Sequence, residues 1–569
     1  MNAERLLQVY EQISEAPDAI ARLRRFVLDL AVRGKLVEQD AADEPASVLM
    51  KAAKALQTKE GVKIKADPLQ PSETPFQAPL GWLWTRVGVI ALQTGSGSTP
   101  RGGKSAYADE GTPFLRSQNI YDDGLRLDDV VFISDETNQK MKRTQVKAKD
   151  LLLNITGGSI GRCTCVPDKF AGANVSQHVA IIRTAASGTE DYLHLLIRSP
   201  FFQGYVIGEQ TGAGRGGLPK NRMDRIPVPL PPLAEQHRIV AKVDELMALC
   251  DRLEEARKSR EELRDKLTAA SLARLTAPDT TPEDFPTHAN FALEALPALT
   301  TRPDQIKTLR QTILNLAVRG KLVEQDVADE PAAELLRKID GETRKKKAAK
   351  VGSDDLLFSI PKGWASARVQ DVIQPDREIS YGVIKLGNEP TSGGIPTLRC
   401  SDVRPGYIET RTVRKVQEDI EAQYIRTRLE GGEVLINIRG TLGGVAHVPK
   451  ALAGYNIARE VAVVPVSEKI SAQYIVYLVL SPFFWDHIQG NLRGIAYKGL
   501  NLGTLRALPI PIPPLAEQHR IVAKVDALMA VCDRLEAALT TADTTRTHLL
   551  EALLHEALEP AATALEAAE

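Results

Sequence analysis

The sequence predicts an α+β chain: two α/β inserts separated by long helices, the helices forming an antiparallel pair and the whole an internal pseudo-twofold repeat. Three observations predict it. The block PPLAEQHRIVAKVD stands at Pro231–Asp244 and again, letter for letter, at Pro513–Asp526. A second block, LAVRGKLVEQD, stands at Leu30–Asp40 and at Leu316–Asp326. The stretches between blocks differ heavily yet keep landmarks in register. Gly81 and Trp82 match Gly363 and Trp364, Leu115 and Arg116 match Leu398 and Arg399, Asn154 matches Asn437, Asn174 matches Asn456, and SPFF recurs at Ser199 and Ser481. Such repetition means one structural frame used twice, over roughly residues 1–286 and 287–569.

The expected segments are an N-terminal helical region (1–70), a first insert (71–230), a helical spacer (231–345), a second insert (346–512) and a C-terminal helical spacer (513–569). Ile20, Leu23, Val27, Leu30 and Ala31 recur three or four apart, the period of an amphipathic helix, and Gly34 closes it. Ile306, Leu309, Ile313, Leu316, Ala317 and Gly320 repeat the pattern. Within the inserts DLLLNITGG (Asp150–Gly158), HVAIIRT (His178–Thr184), EVLINIRGT (Glu433–Thr441) and EVAVVPV (Glu460–Val466) are apolar runs of strand length.

IPVPLPP suits extended chain, and its two last prolines precede a helix. Ile239, Val243, Leu246, Cys250 and Leu253 step by four and three, as do Ile521, Val525, Leu528, Cys532, Leu535 and Leu539, with Leu549 and Leu553 beyond. From Leu233 to Leu275 a helix is about 65 Å long at about 1.5 Å per residue, longer than a small domain is wide. An oligomerising coiled coil is the alternative. The internal pair is preferred because both strands are already present in the chain.

Composition excludes several classes. Apolar residues make up 43% and charged residues 25%, ordinary for a globular chain. No apolar run reaches the roughly 18 residues of a membrane span, and MNAERLLQVYEQ lacks the basic start and apolar core of a signal peptide. Five cysteines in 569 residues predict a reduced, cytoplasmic protein. Cys163 and Cys165 have no second pair with which to hold a metal, and Cys250 and Cys532 sit on the apolar stripe of a helix. A net charge of −1 counts against coating nucleic acid along the whole surface, but leaves room for local patches.

Several motifs are decoys. TGSGSTPRGGKS (Thr94–Ser105) approaches a phosphate-binding loop, but Ser98 stands where the pattern needs glycine and Pro100 removes an amide. GAGRGG (Gly212–Gly217) follows a helical stretch rather than a strand, against a dinucleotide site. LPPL and IPPL lack the polar and aromatic flanks of an amino-methyltransferase site. His237 and His519 are repeat equivalents near a helix start and read as surface residues. No catalytic constellation emerges, so the expectation is a non-enzymatic subunit.

PPLAEQHRIVAKVDELMALCDRLE and LAVRGKLVEQD, with an x-P-x-G-W entry to each insert and LLLNITGGSIGRC inside one, resemble the specificity subunit (HsdS) of type I restriction–modification systems. The resemblance covers essentially the whole chain. It implies two target-recognition domains, each reading one half of a bipartite, asymmetric DNA sequence, and helical spacers that dock two methyltransferase subunits. It implies restriction motor-endonuclease subunits as further partners, and no chemistry or cofactor in this chain. S-adenosylmethionine belongs to the methyltransferase partner, and ATP and Mg to the restriction partner. The specificity subunit of a type II-like methyltransferase/restriction complex, a lone methyltransferase and a coiled-coil scaffold without DNA are the competing readings.

Within that implied role, the polar loops of the inserts are candidates for DNA contact. Residues 91–229 carry 17 Lys+Arg against 14 Asp+Glu, and 371–510 carry 16 against 14, a modest basic excess in each. Phosphates need cations or amides, and bases need bidentate Arg, Asn or Gln. The first insert offers Thr99, Arg101 and Lys104; Arg116, Ser117, Gln118 and Asn119; Thr156, Ser159 and Arg162; Ser176, Gln177 and His178; and Arg215, Lys220 and Asn221. The second offers Ser380 and Tyr381; Arg399, Ser401 and Asp402; Arg439 and Thr441; Arg459; and Arg493, Tyr497, Lys498 and Asn501. Residues shared by both inserts, such as Arg116/Arg399 and Asn154/Asn437, suit phosphate contact or the fold better than base reading. The run TRKKKAAK (Thr343–Lys350) suits either backbone phosphates or a solvated linker, and the acidic Ala-rich C-terminus a frayed tail.

Overall fold

The computed structural model describes residues 15–62, 69–70, 73–211, 216–277, 284–342, 356, 358–490 and 499–558. The chain divides into two units, one of residues 1–259 with 543–569, the other of 260–542. TRKKKAAK and the C-terminal tail lie outside the described residues.

In the first unit α1 (Ala19–Val32) and α2 (Ala46–Lys59) lead into the insert. Gly34 follows α1 at φ +66°, and a Cβ there would lie 2.4 Å from Pro79, so glycine is needed twice over. The insert begins with β1 (Leu83–Arg86) and β2 (Ala91–Ser96). Next come β3 (Thr112–Leu115), the two-residue strands β4 (Ile120–Tyr121) and β5 (Gly124–Leu125), and β6 (Val131–Ile133). Then follow β7 (Leu151–Asn154), β8 (Cys163–Cys165), β9 (Asn174–Val175) and β10 (Val179–Thr184). Helices α3 (Glu190–Arg198) and α4 (Pro200–Gly208) precede β11 (Pro227–Leu230). The main sheet has the order β2-β10-β7-β8, a second has β6-β3-β9, and β1 pairs with β11.

The alternation along β7 and β10 explains their unbroken apolar runs. Leu151, Leu153, Ala180 and Ile182 pack with Tyr192, Leu196, Phe202, Ile239 and Val243 of the helices. Leu152, Val179 and Ile181 face the other way, against Leu115, Ile120 and Val175. Both faces are covered at these two strands, so Leu151 to Leu153 and Val179 to Ile182 are apolar without a break.

The predicted long helix is α5 (Leu233–Thr276), 44 residues, ending one residue from its expected limit. Its first part belongs to unit 1 and its last part to unit 2. After α6 (Phe285–Leu299), α7 (Pro303–Val318) and α8 (Ala332–Glu342) repeat α1 and α2. The second insert follows the same course. Its strands are β12 (Ala365–Arg368), β13 (Ser380–Tyr381), β14 (Ile395–Leu398), β15 (Val403–Arg404), β16 (Tyr407–Ile408) and β17 (Arg414–Val416). They continue with β18 (Val434–Asn437), β19 (Val445–His447), β20 (Asn456–Ile457) and β21 (Val461–Val464). Helices α9 (Ala472–Leu480) and α10 (Pro482–Gly490), β22 (Pro509–Ile512) and α11 (Leu515–Leu558) complete it. Its sheets, β13-β21-β18-β19, β17-β14-β20 and β12-β22, reproduce those of the first insert strand for strand. Unit 1 therefore holds the start of one long helix and the end of the other, and unit 2 the reverse. Cys250 and Cys532 are buried, as their place on the apolar stripe implies. No described helix is long and apolar enough to cross a membrane.

The frame is held by the same contacts in both copies. Trp82 Nε1 donates to Glu235 Oε2 at 2.9 Å and Trp364 Nε1 to Glu517 Oε2 at 2.9 Å. Gln39 Nε2 donates to Glu235 Oε1 at 3.1 Å, as Gln325 does to Glu517. Arg238 pairs with Asp43 at 2.6 Å and Arg520 with Asp329 at 2.7 Å. Arg24 of α1 reaches Asp251 and Glu254, and Arg310 of α7 reaches Asp533 and Glu536. Burial pushes the carboxyl groups of Glu235 and Glu517 upward, against the donors that oppose the shift.

Two tests follow from this frame. Trp82→Phe removes one donor from a buried carboxylate and should cost about 1–3 kcal/mol, with Trp364→Phe costing the same. Chemical unfolding of both single variants checks the equivalence. A raised carboxyl pKa means the folded state binds the proton more tightly, so this group's contribution falls as pH rises through the folded pKa. The stability difference between wild type and the double variant Glu235→Gln, Glu517→Gln should therefore move in favour of the wild type as pH is lowered from neutral, measured by unfolding midpoints.

Candidate nucleic-acid interface

The scattered polar loops of the first insert meet at one edge of its main sheet, where β2 and β7 end and β10 begins. Gly97 N–H donates to Val179 O (2.8 Å) and Ser98 N–H to Val175 O (3.2 Å). Ile155 N–H donates to His178 O (3.0 Å), Leu218 N–H to Ile155 O (2.8 Å) and Ser176 N–H to Leu115 O (2.9 Å). Asn154 Nδ2 donates to Ser117 O (2.8 Å) and to Ser159 Oγ (3.1 Å). The approach is close: a Cβ on Gly97 would lie 2.0 Å from Val175 O.

The second insert is tied in the same way. Val383 N–H donates to Ile457 O (2.8 Å), Arg459 N–H to Val383 O (2.9 Å), and Leu500 N–H to Ile438 O (2.7 Å). Asn437 Nδ2 donates to Cys400 O at 2.9 Å. Gly382 repeats Gly97, its Cβ position only 1.8 Å from Ile457 O.

At this edge Thr99, Arg101, Gln118, Gln177, His178, Lys220 and Asn221 are exposed in the first insert. Arg116, Ser117, Thr156, Ser159 and Arg162 are half-buried. Thr156 Oγ1 and His178 Nδ1 are 2.6 Å apart. Lys220 Nζ donates to Thr94 Oγ1 at 2.6 Å and also pairs with Asp224. In the second insert Tyr381, Ser401, Arg439, Thr441, Arg459 and Asn501 are exposed, and Ser380 and Arg399 half-buried. Asn501 Oδ1 accepts from Gly503 N–H at 2.7 Å and so caps a short helix. Among the described residues Arg439 and Arg459 have no carboxylate partner, which leaves both cations available to an anionic ligand.

Three residues expected as contacts are not exposed. Asn119, Ser176 and Asp402 are buried. Asn119 Oδ1 accepts from Arg116 N–H, and Asp402 Oδ2 accepts from Arg399 N–H, each closing the turn after its strand. Such side chains satisfy the local backbone rather than face a ligand. Arg116 and Arg399 are also committed, the first to Asp129 O and the second to Asp402 at 3.3 Å. Asn174 and Asn456 are buried, and each accepts from a threonine, Thr144 and Thr427. The shared landmarks thus serve the fold. Arg215, Arg493, Tyr497 and Lys498 lie outside the described residues, as does the side chain of Lys104.

Sequence reasoning missed Tyr121, Arg126, Arg404 and Tyr407, on or beside the β4–β5 and β15–β16 hairpins. Two-residue strands leave no periodic signal. Aligning the two halves between Arg116/Arg399 and Asn154/Asn437 is the reading that exposes them. Among the described residues no group of three or more His, Cys, Asp or Glu is placed to hold a metal ion.

Comparison with known proteins follows the same twofold division. The chain is 29% identical to the type I restriction enzyme EcoEI specificity subunit of Escherichia coli, over 95% of this chain and 94% of that one. It is 28% identical to the EcoAI specificity subunit of Escherichia coli, over the same shares. The crystal structure of the HsdS subunit from Thermoanaerobacter tengcongensis aligns with a TM-score of 0.41 at 20% identity, over 85% of this chain and 98% of that chain. The family model described as type I restriction modification DNA specificity domain matches twice, at residues 92–263 and 361–542. With most of both inserts and the start of both long helices inside those matches, this chain belongs to the type I restriction–modification DNA specificity family.

Proposed function

We propose that this chain is the DNA-reading, non-catalytic specificity subunit of a type I restriction–modification complex, each insert reading one half of a bipartite, asymmetric site. One observation carries the reading. Two inserts of the same topology present different residues at the same edge: Thr156, Gln177 and His178 in one, Arg439, Thr441 and Arg459 in the other. Different side chains on one frame read different bases, while the letter-identical helix starts offer two equivalent faces to identical partners.

Those partners are two methyltransferase subunits, which bring S-adenosylmethionine, and restriction motor-endonuclease subunits, which use ATP and Mg. The complex works in the cytoplasm on double-stranded DNA. Residues of the first insert that reach it are Thr99, Arg101, Gln118, Thr156, Arg162, Gln177, His178, Lys220 and Asn221. Those of the second are Tyr381, Ser401, Arg439, Thr441 and Arg459. The long helices fix the separation of the half-sites, as dimer geometry does for other readers.

Co-expression with the methyltransferase encoded beside this chain, followed by mapping of methylated adenines in the host genome, should give one split motif with a fixed spacer. No new methylation from a stable complex would favour a scaffold instead. Inserting seven residues, two helical turns, into each long helix should change the spacer and leave both half-sites unchanged. Arg439→Ala and Arg459→Ala should each weaken DNA binding by the assembled complex and reduce the slope of log affinity against log salt by about one.

A further inference from the structure

Each insert carries a two-stranded hairpin immediately beside the loops already described. In the first, Ile120 lies opposite Leu125 and Tyr121 opposite Gly124. In the second, Val403 lies opposite Ile408 and Arg404 opposite Tyr407. Neighbouring residues of a strand point to opposite faces. Ile120 and Val403 are buried, with Leu125 and Ile408 packed against the same cores. The other face therefore presents Tyr121 in one insert, and Arg404 with Tyr407 in the other.

Both hairpins are anchored through the turn. Asp122 Oδ1 accepts from Cys163 N–H at 2.9 Å, and Gly406 N–H donates to Val445 O at 2.8 Å. The second turn is Pro405-Gly406, with Gly406 at φ +89°, a residue order that suits a type II turn. Anchorage places each hairpin next to the turn after β7 or β18. Arg162, from that turn, lies over the Tyr121 ring at 4.5 Å, and Arg126 lies 5.2 Å from the same centroid. Arg126 also pairs with Asp123. Tyr407 is 58% exposed, and among the described residues neither Arg404 nor Tyr407 has a hydrogen-bonding or ionic side-chain partner.

In both inserts an aromatic ring of the hairpin therefore lies with a guanidinium group, Arg162 of the adjoining turn beside Tyr121 in the first and Arg404 of the hairpin itself opposite Tyr407 in the second. Arg404 and Tyr407, exposed and without side-chain partners among the described residues, contribute nothing to the core, so the fold does not account for them. A two-stranded ribbon fits the major groove, where arginine reaches guanine or phosphate and an apolar ring contacts base edges or the thymine methyl group. We propose that the outer face of each hairpin, Tyr121 together with Arg162 of the adjoining turn in the first insert and Arg404 with Tyr407 in the second, is a DNA-reading element that extends each half-site beyond the loops. This rests on the specificity reading above.

The test uses the complete complex with its methyltransferase. For wild type, Tyr407→Ala, Arg404→Gln and Tyr121→Ala, methylated motifs are mapped and affinity for the mapped duplex is measured. Tyr407→Ala and Arg404→Gln should each weaken binding about tenfold or more, the scale of one lost base or stacking contact. They should relax discrimination in one half-site only, and Tyr121→Ala in the other half only. Unchanged motifs with affinities within twofold of wild type would overturn the proposal. Equal relaxation of both halves by any one variant would also overturn it, since that marks a general structural effect. Should Tyr407→Ala fail to assemble, Arg404→Gln carries the same two outcomes. A wild-type complex that yields no split motif would instead remove the specificity reading, a result the variants cannot produce.

Discussion

The buried carboxylate at the start of each long helix is the point on which the frame turns. Glu235 and Glu517 are each 1% exposed, and each holds a tryptophan from the entry of its insert and a glutamine from the preceding helical block. A charge taken so far out of water is tolerable only with donors on both oxygens. Here one donor comes from each segment that must be joined. The position near a helix N-terminus adds the favourable end of the helix dipole. A single residue thereby brings three distant parts of the sequence into register, and it does so identically in both copies.

Away from that joint the two inserts preserve a topology while exchanging its details. Asp150 of the first pairs with Arg183 of β10, whereas the equivalent Glu433 pairs with Arg377, ahead of β13. The buried carboxylate is kept and its cation arrives from a different strand region. Asn174 takes Asn138 as a partner where Asn456 takes Glu421. Burial preserves the need for a partner, but not its identity. At the exposed edge no such need operates, and the side chains are free to differ. A scaffold of this kind separates the residues that make the fold from those that can vary with the ligand.

Much of the architecture was legible in the letters. The helices declare themselves through apolar steps of three and four, and their glycine stops at Gly34 and Gly320 appear at φ +66° and +67°. The strands β7, β10, β18 and β21 fall inside the runs expected of them. Which residues of the polar loops face outward was not legible. The loops chosen for their polarity meet at one edge of the sheet. Yet whether a polar residue in a loop faces water or closes a turn depends on backbone geometry, and Asn119 and Asp402 turned inward for that reason. The hairpins escaped notice because two residues per strand are too few to show a period.

The sharing of the long helices bears on how the chain is made. Ala16 and Ala19 pack against Leu550 and Leu553 within unit 1, so residues near the two ends of the chain complete one core. Unit 2 uses nothing beyond residue 542. At synthesis rates of roughly 5–20 residues per second, the first helix waits on the order of half a minute or more for its last neighbour to emerge. The unit that begins first is thus the later one to close, and Ala16 and Ala19 spend that interval without the leucines that finally cover them.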